Sequence, residues 1–289
     1  MARILLCLLA LSLGAAATGT ELASQRPPAP PTRIISLIPA VTEMLFALGV
    51  GDRVVAVSSF DRFPPEVEKM PRVGALLDPD VERILSLRPD LVIVYRTQSD
   101  LQTQFTRAGV PFYLYVHAGL AGVTSTIRRI GERVGAADRA GKLASDIETR
   151  IQSVRARAPG TKGPRTLVVF GRDSFALRGI YASGGIGFVH DMLTAAGGNN
   201  VFADMKREAV QATTELILAR RPEVIIELRA DPIDAATESR ELRTWGALSS
   251  LPAIRNRRVH IIADARTVIP GPRVAEGVEV LWRILHETP

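Results

Sequence analysis

Short apolar runs alternate with helix-period segments along most of the chain. Apolar runs predict strands at 33–37, 54–57, 91–94, 112–116, 166–170, 224–226 and 259–262. Apolar residues at helical spacing predict helices at 41–48, 80–87, 101–107, 123–134, 188–195, 214–220 and 274–286. Because strands that alternate with helices form parallel sheets, the pattern predicts an α/β fold.

One longer helical segment, 138–157, divides this pattern into two parts and is followed by Pro159-Gly160. A helix of that length extends roughly 30 Å, enough to connect two lobes. We therefore predict an N-terminal lobe at 33–136, a connecting helix at 137–160 and a C-terminal lobe at 161–289. Bending such a helix would break backbone hydrogen bonds, so we expect only small movements of one lobe against the other.

Two segments of the first part recur in the second. ERILSLRPDLVIVYR at 82–96 matches ELILARRPEVIIELR at 215–229, with seven identical residues of fifteen. Glu43-Met44-Leu45, with Ala47 and Gly49, matches the corresponding residues of 191–197. The repeats keep their order, which predicts two similar lobes with a ligand cleft between them. The alternative is that helix–Arg-Pro–strand is a common way to build an α/β unit.

The first residues have the pattern of an export signal. Arg3 precedes the apolar stretch 4–13, and Ala15-Ala16-Ala17 suits signal peptidase, so residues 1–17 are predicted to be a signal peptide. Residues 18–32 form a Pro-rich linker. The one cysteine, Cys7, lies in the predicted signal peptide, so a mature chain would have no disulfide or thiolate chemistry. We expect a soluble periplasmic protein.

The composition narrows the classes of partner. Of the 289 residues 46% are hydrophobic and 23% charged, and the net charge is +6. Nucleic-acid binding would place basic residues among stacking aromatics, but aromatics are 5% of the chain and the arginine clusters have few beside them. We therefore expect a monomer that neither binds nucleic acid nor inserts into a membrane.

The loops that follow the predicted strands carry most of the aromatic residues outside predicted core segments. They are Phe60, Phe63, Tyr95, Phe175 and Tyr181. In parallel α/β sheets these loops contact ligands, and here Ser58, Ser59, Asp61, Arg172 and Asp264 add polar groups. The combination suits a large, flat, partly polar ligand, although each aromatic could instead be ordinary packing.

Other candidate chemistry is weaker. The glycine-rich segment 184–187 could cradle a phosphate or could be a turn that requires positive φ. His117 has no second histidine at ligand spacing, and no catalytic motif surrounds Ser36, Ser58 or Ser174. The sequence thus predicts no metal site and no enzyme, with an exported hydrolase as the distant alternative.

Glu82 and Glu215 occupy equivalent positions in the repeated segment, each in the first turn of a predicted helix. A carboxylate there stabilises the helix dipole by about 0.3–1 kcal/mol. Alternatively, the two form a matched acidic pair, one on each lobe, that docks on basic residues of a partner. The residues alone leave both interpretations open.

Three segments carry a resemblance to a known family: RIISLIPAVTEMLFALG at 33–49, SSFDRFPPE at 58–66, and 82–94. They resemble the exported substrate-binding proteins of ABC importers, in the helical-backbone (class III) group that serves cobalamin, haem and iron–siderophores. The similarity extends over about 33–286. It implies two Rossmann-like lobes joined by one long helix, and docking of Glu82 and Glu215 on arginines of a permease that works with an ATPase.

Within that group the chain is most similar to the periplasmic cobalamin (vitamin B12)-binding proteins. The resemblance implies ligand contacts from Phe60, Leu76, Tyr95, Tyr181 and Asp264. Leu76 and Ala209 stand where those proteins place tryptophan, which reduces the stacking area.

The ligand implied is a corrinoid, carried as cargo and not as a cofactor. A ferric siderophore is the runner-up, which Arg62, Arg96 and Arg172 would favour. Haem is a further alternative, but Gly74-Ala75 replaces the Gly-Tyr pair of haem binders in this group.

Overall fold

The computed structural model describes residues 29–157, 163–229 and 231–287, which form two lobes with a sheet each. The predicted signal peptide, 1–17, and most of the predicted linker lie outside the described residues. No helix in the described ranges combines the length and apolarity needed to cross a membrane.

The N-terminal lobe has a four-stranded parallel sheet in the order β2-β1-β3-β4. Its elements are β1 (Ile34–Ser36), α1 (Pro39–Ala47), β2 (Val54–Val57), α2 (Val81–Ser86), β3 (Leu91–Tyr95), α3 (Ser99–Arg107), β4 (Phe112–Tyr115) and α4 (Leu120–Val134). The central strands β1 and β3 are buried almost throughout, which explains why their sequences are continuous apolar runs and not alternating ones.

The connecting helix α5 (Ala137–Arg157) buries one stripe of side chains. These are Ala140, Ala144, Ile147, Ile151 and Val154, at the three- and four-residue spacing of one helix face. α5 packs along α4 of the N-terminal lobe and along the last helix of the C-terminal lobe. The stripe therefore binds α5 to both lobes along its length.

The C-terminal lobe has a mixed six-stranded sheet in the order β10-β9-β5-β6-β8, with β7 beside β5. Its elements are β5 (Arg165–Gly171), β6 (Ile180–Ser183), α6 (Phe188–Ala195), β7 (Asn199–Asn200), β8 (Ala209–Ala212), α7 (Thr214–Arg220), β9 (Val224–Arg229), α8 (Ala235–Trp245), α9 (Pro252–Arg255), β10 (Val259–Ala263) and α10 (Val274–His286). β9 and β10 follow the predicted parallel arrangement. β7, which is parallel to β5, and the antiparallel strands β6 and β8 were not predicted. The α/β class with two separate lobes is confirmed.

The sequence repeats correspond to structural repeats. α2 and α7 are each followed by an arginine in the left-handed region, Arg88 at φ 48° and Arg221 at φ 49°, and then by a proline and a buried strand. Side chains at equivalent positions cap the two helices: Asp80 accepts from the Arg83 N–H and Thr213 from the Leu216 N–H. The lobes therefore share a folding unit and not only a few similar residues.

One hydrophobic core continues from one lobe into the other. It includes Ile34 and Leu45 of the N-terminal lobe, Ile151 of α5, and Val168 and Leu281 of the C-terminal lobe. Each lobe also has a smaller core on the far face of its sheet. Because the shared core excludes water between the lobes, relative movement of the lobes would expose apolar surface.

Candidate functional site

A shared hollow lies between the carboxyl end of β4 in the N-terminal lobe and the C-terminal lobe. The imidazole of His117, just after β4, lies 6.4 Å from the Phe188 ring, measured between centroids. A hollow of about 320 Å³ is lined by His117 from the N-terminal lobe and by Phe170, Ile186, Gly187, Phe188, Val189, Glu208, Ala209 and Val268 from the C-terminal lobe. This is where a ligand cleft is expected in a two-lobed α/β protein.

The N-terminal wall of this cleft consists of three loops tied to one another. The Ser59 N–H donates to the Gly74 carbonyl at 2.8 Å, so the loop that carries Phe60 lies against the loop that precedes Leu76. Gln98 joins the third loop, because its Nε2 donates to the Leu76 carbonyl and its Oε1 accepts from the Tyr95 N–H, both at 2.9 Å. The structure thus brings three of the predicted site residues together.

These three side chains differ in how far they are available to a ligand. Phe60 is 66% exposed. Leu76 is 40% exposed and lines a hollow of about 620 Å³. Tyr95 is half-buried and packs edge-on against Tyr115 at 5.6 Å between ring centroids. Burial, with a smaller contribution from the Asp61 charge, raises the pKa of Tyr95, so this hydroxyl stays protonated and can donate a hydrogen bond.

The C-terminal wall presents Tyr181, which is 47% exposed on β6 opposite Gly171 of β5. A second hollow, of about 440 Å³, shares Phe170 and Val268 with the first. Ala209, where the resemblance expects an indole, lines the first hollow and leaves space there. Sequence reasoning did not select Phe170 because it lies inside the predicted strand 166–170.

Asp264 is occupied by an ion pair within the protein. Its carboxylate accepts from the Arg266 backbone N–H and from Nε of the same residue, both at 2.9 Å, and pairs with its Nη2 at 2.6 Å. The hydrogen bond to Arg266 lowers the pKa of Asp264 more than burial raises it. Arg266 also pairs with Glu276. A role for Asp264 in ligand contact therefore stays a prediction.

Beneath the cleft the C-terminal lobe holds two arginines and two glutamates in one buried cluster. Arg172, 1% exposed, pairs with Glu227 at 2.9 Å and with Glu241 at 2.6 Å. The Trp245 indole N–H donates to Glu227 at 3.2 Å. Arg172 is thus saturated inside the lobe and cannot serve a ligand as the sequence analysis supposed.

Arg229 is the fourth member of this cluster and the one that reaches the surface. Its Nη2 contacts Glu227 at 2.5 Å and Glu241 at 3.2 Å, while a quarter of the side chain is exposed at the second hollow. Within the described ranges, no group accepts a hydrogen bond from its Nη1. Arg229 is the repeat equivalent of Arg96, and that equivalence could have identified it from sequence.

The glycine-rich segment is a tight backbone crossing and not a phosphate loop. The Gly184 and Gly185 N–H groups donate to the carbonyls of Glu208 and Met205. A Cβ on Gly184 would lie 2.0 Å from the Arg207 carbonyl oxygen, so only glycine allows this approach. The part of the chain that the structure describes contains no group of three metal-ligating side chains, and none surrounds His117.

Glu82 and Glu215 are both exposed at the second residue of their helices, α2 and α7. Hydrogen bonds from its own backbone N–H and from Thr213 lower the pKa of Glu215. The two positions are equivalent in the repeat, one on each lobe. The structure is compatible with dipole compensation and with docking, and the docking role stays a prediction.

A larger hollow, of about 920 Å³, lies between α5, α1 and the loop that follows β2. Its wall includes Glu43, Phe63 and Arg273, which meet where the two lobes touch. Because residues of the helices α1 and α5 form most of its wall, with Phe63 and Pro64 of the loop after β2 at one side, we assign the ligand cleft to the smaller hollows.

The protein belongs to the periplasmic binding protein family, whose pattern matches residues 34–265. It is similar to the uncharacterized ABC transporter substrate-binding lipoprotein YvrC of Bacillus subtilis (strain 168), with 32% identity over 262 residues, 89% of this chain and 80% of the relative. The resemblance seen in the sequence is thereby confirmed at the level of the class.

Two solved structures show the same fold with different ligand names. The periplasmic vitamin B12 binding protein BtuF of Vibrio cholerae superposes with a TM-score of 0.75 at 26% identity, over 89% of this chain and 98% of that chain. The periplasmic heme-binding protein RhuT from Roseiflexus sp. RS-1 superposes with a TM-score of 0.74 at 29% identity, over 89% and 98%. The chain is therefore an ABC transporter substrate-binding protein of the class that contains vitamin B12 and haem binders.

Asp61 holds the base of the Phe60 loop from a fully buried position. Its Oδ2 accepts from the Ser58 N–H at 2.9 Å and from the Ser58 hydroxyl at 2.5 Å, while no described group donates to its Oδ1. Burial raises the pKa of Asp61, against the hydrogen bonds of Ser58 and Thr42 and the charge of Arg72. This carboxylate is charged at a cost to the folded state.

We predict that Asp61→Asn changes how the free energy of unfolding depends on pH. A pKa that is higher in the folded state than in the unfolded state stabilises the fold fully below the unfolded value, and this stabilisation is lost as pH rises through the folded value. The stability of the wild type relative to Asp61→Asn should therefore fall as the pH rises above about 4, the pKa of an Asp in the unfolded chain. Urea unfolding across that range measures it, and a difference that stays constant with pH would contradict the assignment.

Proposed function

We propose that the protein is an extracytoplasmic receptor that binds a corrinoid in the cleft between its lobes and delivers it to an ABC permease. The observation that carries the proposal is one exposed aromatic on each wall of the proposed cleft, Phe60 on the N-terminal lobe and Tyr181 on the C-terminal lobe. A flat macrocycle between two such walls buries both of its faces. Aromatic side chains bury about 150–250 Å² each, which suits a ligand of this shape.

The dimensions of the cleft support a bulky ligand. Its hollows of about 320, 440 and 620 Å³ lie in the range of about 300–1,000 Å³ that small-molecule pockets occupy. Leu76 lines the hollow of the N-terminal lobe and Ala209 one of the C-terminal lobe, so space remains at both positions where the resemblance expects an indole. We infer that the ligand fills these spaces with peripheral side chains, because little stacking surface is available there.

The polar groups of the cleft suit a ligand with many neutral hydrogen-bond acceptors. The Tyr95 hydroxyl stays protonated, and Arg229 offers Nη1 from a cluster in which two glutamates balance two arginines. The amide side chains of a corrin accept such hydrogen bonds. The relative that is named for vitamin B12 supports the same ligand.

Haem is less well supported, although another structural relative is named for it. Axial ligation of haem iron requires a side chain such as His, Cys, Met or Tyr at a fixed place. Ala75, at the position of the expected tyrosine, is buried and offers no ligating atom. We propose no catalytic step, since a receptor of this class only binds and releases its ligand.

We further propose that the protein reaches the periplasm through the signal peptide 1–17. The family to which the chain belongs is periplasmic, and the sequence pattern of residues 1–17 is that of an export signal. Those residues lie outside the described structure, so the proposal depends on their sequence alone.

Cyanocobalamin should bind the purified protein, and loss of the two exposed aromatics should weaken binding. Phe60→Ala combined with Tyr181→Ala removes one platform from each wall, and we expect an affinity loss of roughly tenfold or more. Isothermal titration calorimetry or quenching of intrinsic fluorescence measures the dissociation constant.

Leu218→Ala is the matched control, because Leu218 is also an exposed apolar residue but lies on α7, outside the loops that line the cleft. It should leave affinity unchanged. Absence of any binding by the wild type at micromolar cyanocobalamin would exclude the corrinoid, and equal binding by the double variant would exclude the aromatic walls.

A ferric siderophore is the second candidate, and Arg229 is the observation that favours it. The Arg229 side chain is a quarter exposed at the second hollow, and its Nη1 has no acceptor among the described residues, so it is suited to a carboxylate or catecholate oxygen of an anionic chelate. A fluorescence titration with a panel of ferric siderophores separates the two ligands.

Arg229→Gln distinguishes how each ligand would use this residue. An anionic chelate would lose a charge-assisted hydrogen bond and bind roughly tenfold more weakly or worse. A neutral corrinoid would lose a weaker bond, of about 0.5–1.5 kcal/mol. Binding of a siderophore that is insensitive to Arg229→Gln would contradict a direct contact, and Arg178→Gln, at an exposed surface ion pair, is the control.

Docking on the permease is proposed for Glu82 and Glu215. Both side chains are exposed at the starts of equivalent helices on the two lobes, so a partner with two matching basic sites can contact both at once. Charges at the edge of a protein–protein interface determine the orientation and the rate of docking. They have little effect on the affinity of the receptor for its ligand.

The double variant Glu82→Ala and Glu215→Ala should retain ligand affinity and lose transport. Ligand uptake into proteoliposomes that contain the permease and its ATPase measures transport, with affinity checked separately by titration. Glu132→Ala combined with Asp138→Ala removes the same charge from exposed positions elsewhere and should transport normally. Uptake by the Glu82/Glu215 variant equal to that of the control would exclude docking through this pair.

A further inference from the structure

The acidic residue that begins the 43–49 and 191–197 repeat contacts the opposite lobe in both copies. Glu43, on α1 of the N-terminal lobe, forms a bidentate ion pair with Arg273, which precedes α10 of the C-terminal lobe. The Arg273 Nε lies 2.9 Å from Glu43 Oε2, and the Nη2 lies 2.6 Å from Oε1. The carboxylate is buried, and burial raises its pKa against the opposing hydrogen bond and charge of Arg273.

Asp191 is the repeat equivalent of Glu43 and makes the reverse crossing. It lies on α6 of the C-terminal lobe, and its Oδ2 accepts from the backbone N–H of Leu120 at 2.9 Å. Leu120 is the first residue of α4 in the N-terminal lobe. Each lobe therefore sends one carboxylate to the start of the last helix of the other lobe.

A glycine faces the carboxylate at both crossings. A Cβ on Gly119 would lie 2.2 Å from Asp191 Oδ2, and one on Gly271 would lie 3.0 Å from Glu43 Oε2. A side chain at either position would push the acid away from its partner. Both contacts thus combine an acidic side chain, the start of a helix and a facing glycine. Simple packing between two lobes does not require this combination.

The Glu43 crossing also reaches the cleft. The Arg273 guanidinium carbon lies 3.8 Å from the centroid of the Phe63 ring, so it stacks on the loop that carries Phe60. Arg273 therefore contacts α1 and the 58–63 loop together, from the opposite lobe. The charges of Asp61, at the base of this loop, and of Glu276, on α10, also act on Glu43.

We propose that Glu43–Arg273 and Asp191–Leu120 are paired crossties that fix the separation of the lobes, and that Arg273 is a positioning residue for the Phe60 wall of the cleft. The positioning role rests on the proposed function, because it assumes that the ligand lies against Phe60. The crossties do not depend on the identity of the ligand. The two parts can therefore be tested separately.

The separation of the lobes is measured without ligand by double electron–electron resonance. Spin labels are attached at Lys69→Cys in the N-terminal lobe and Asn256→Cys in the C-terminal lobe, both at exposed positions, in a Cys7→Ser background. Arg273→Gln combined with Asp191→Ala should broaden the distance distribution or shift it by about 2 Å or more. Glu43→Gln with Arg273→Gln is the second variant, because it leaves no unpaired buried carboxylate.

The ligand experiment follows dissociation of cyanocobalamin by stopped flow. The Arg273→Gln variant should release cyanocobalamin roughly tenfold faster or more, because the loop that carries Phe60 loses its contact with the C-terminal lobe. Arg273→Lys keeps a charge near Glu43 but loses the bidentate geometry, and it should recover only part of the slow release. A residue with a purely structural role would change stability without this graded effect on the release rate.

The outcomes separate the two proposals. Distance distributions equal to that of the wild type in both double variants would overturn the crossties, whatever the ligand. Changed distributions with an unchanged release rate would overturn the positioning role of Arg273. Absence of cyanocobalamin binding by the wild type would exclude the corrinoid and with it the positioning role, while the distance measurement would still decide the crossties.

Discussion

The cleft depends on the way α5 packs against both lobes at once. A two-lobed receptor must hold the carboxyl ends of two independent sheets at a fixed separation, and here one helix with one buried stripe does so. Ile147 and Ile151 of that stripe belong to a core that continues into both lobes. Arg150, on the same helix, reaches Glu279 of α10 at 3.2 Å. To open the lobes, the protein must expose this apolar stripe or bend the helix, and both are costly.

This constraint explains why the crossing carboxylates matter. Hydrophobic packing along α5 is not directional and tolerates small sliding movements between the lobes. Ion pairs and hydrogen bonds fix distances more sharply, because they weaken steeply when their geometry is lost. Glu43 and Asp191 add this directional component at two places where α1 and α6 meet the opposite lobe. The hydrophobic core holds the two lobes together, and the Glu43 and Asp191 contacts fix their position relative to each other.

The sequence predicted the repeated parts of the fold well and the inserted parts poorly. The bounds of α6, α7 and α10 agree with the prediction, because each has a clear apolar period and a glycine or proline near its end. β6 and β8 were missed since each has only four residues, and such short strands depend on pairing with distant partners. The antiparallel pair they form is what places Tyr181 at the cleft.

In the candidate site, too, some features could be predicted from the sequence and others could not. Aromatics in loops after strands, such as Phe60, could be selected from the sequence because nothing in the core pattern required them. The ion pairs that occupy Arg172 could not be predicted, since its partners Glu227 and Glu241 lie 55 and 69 residues away, just after a predicted strand and in an unpredicted helix. The resulting cluster also bears on the ligand. Two glutamates cancel two arginines, so the floor of the C-terminal lobe offers Arg229 as a donor without a net positive charge. A strongly anionic ligand would gain little from such a floor beyond one hydrogen bond, whereas a neutral ligand with many acceptors needs only the donor.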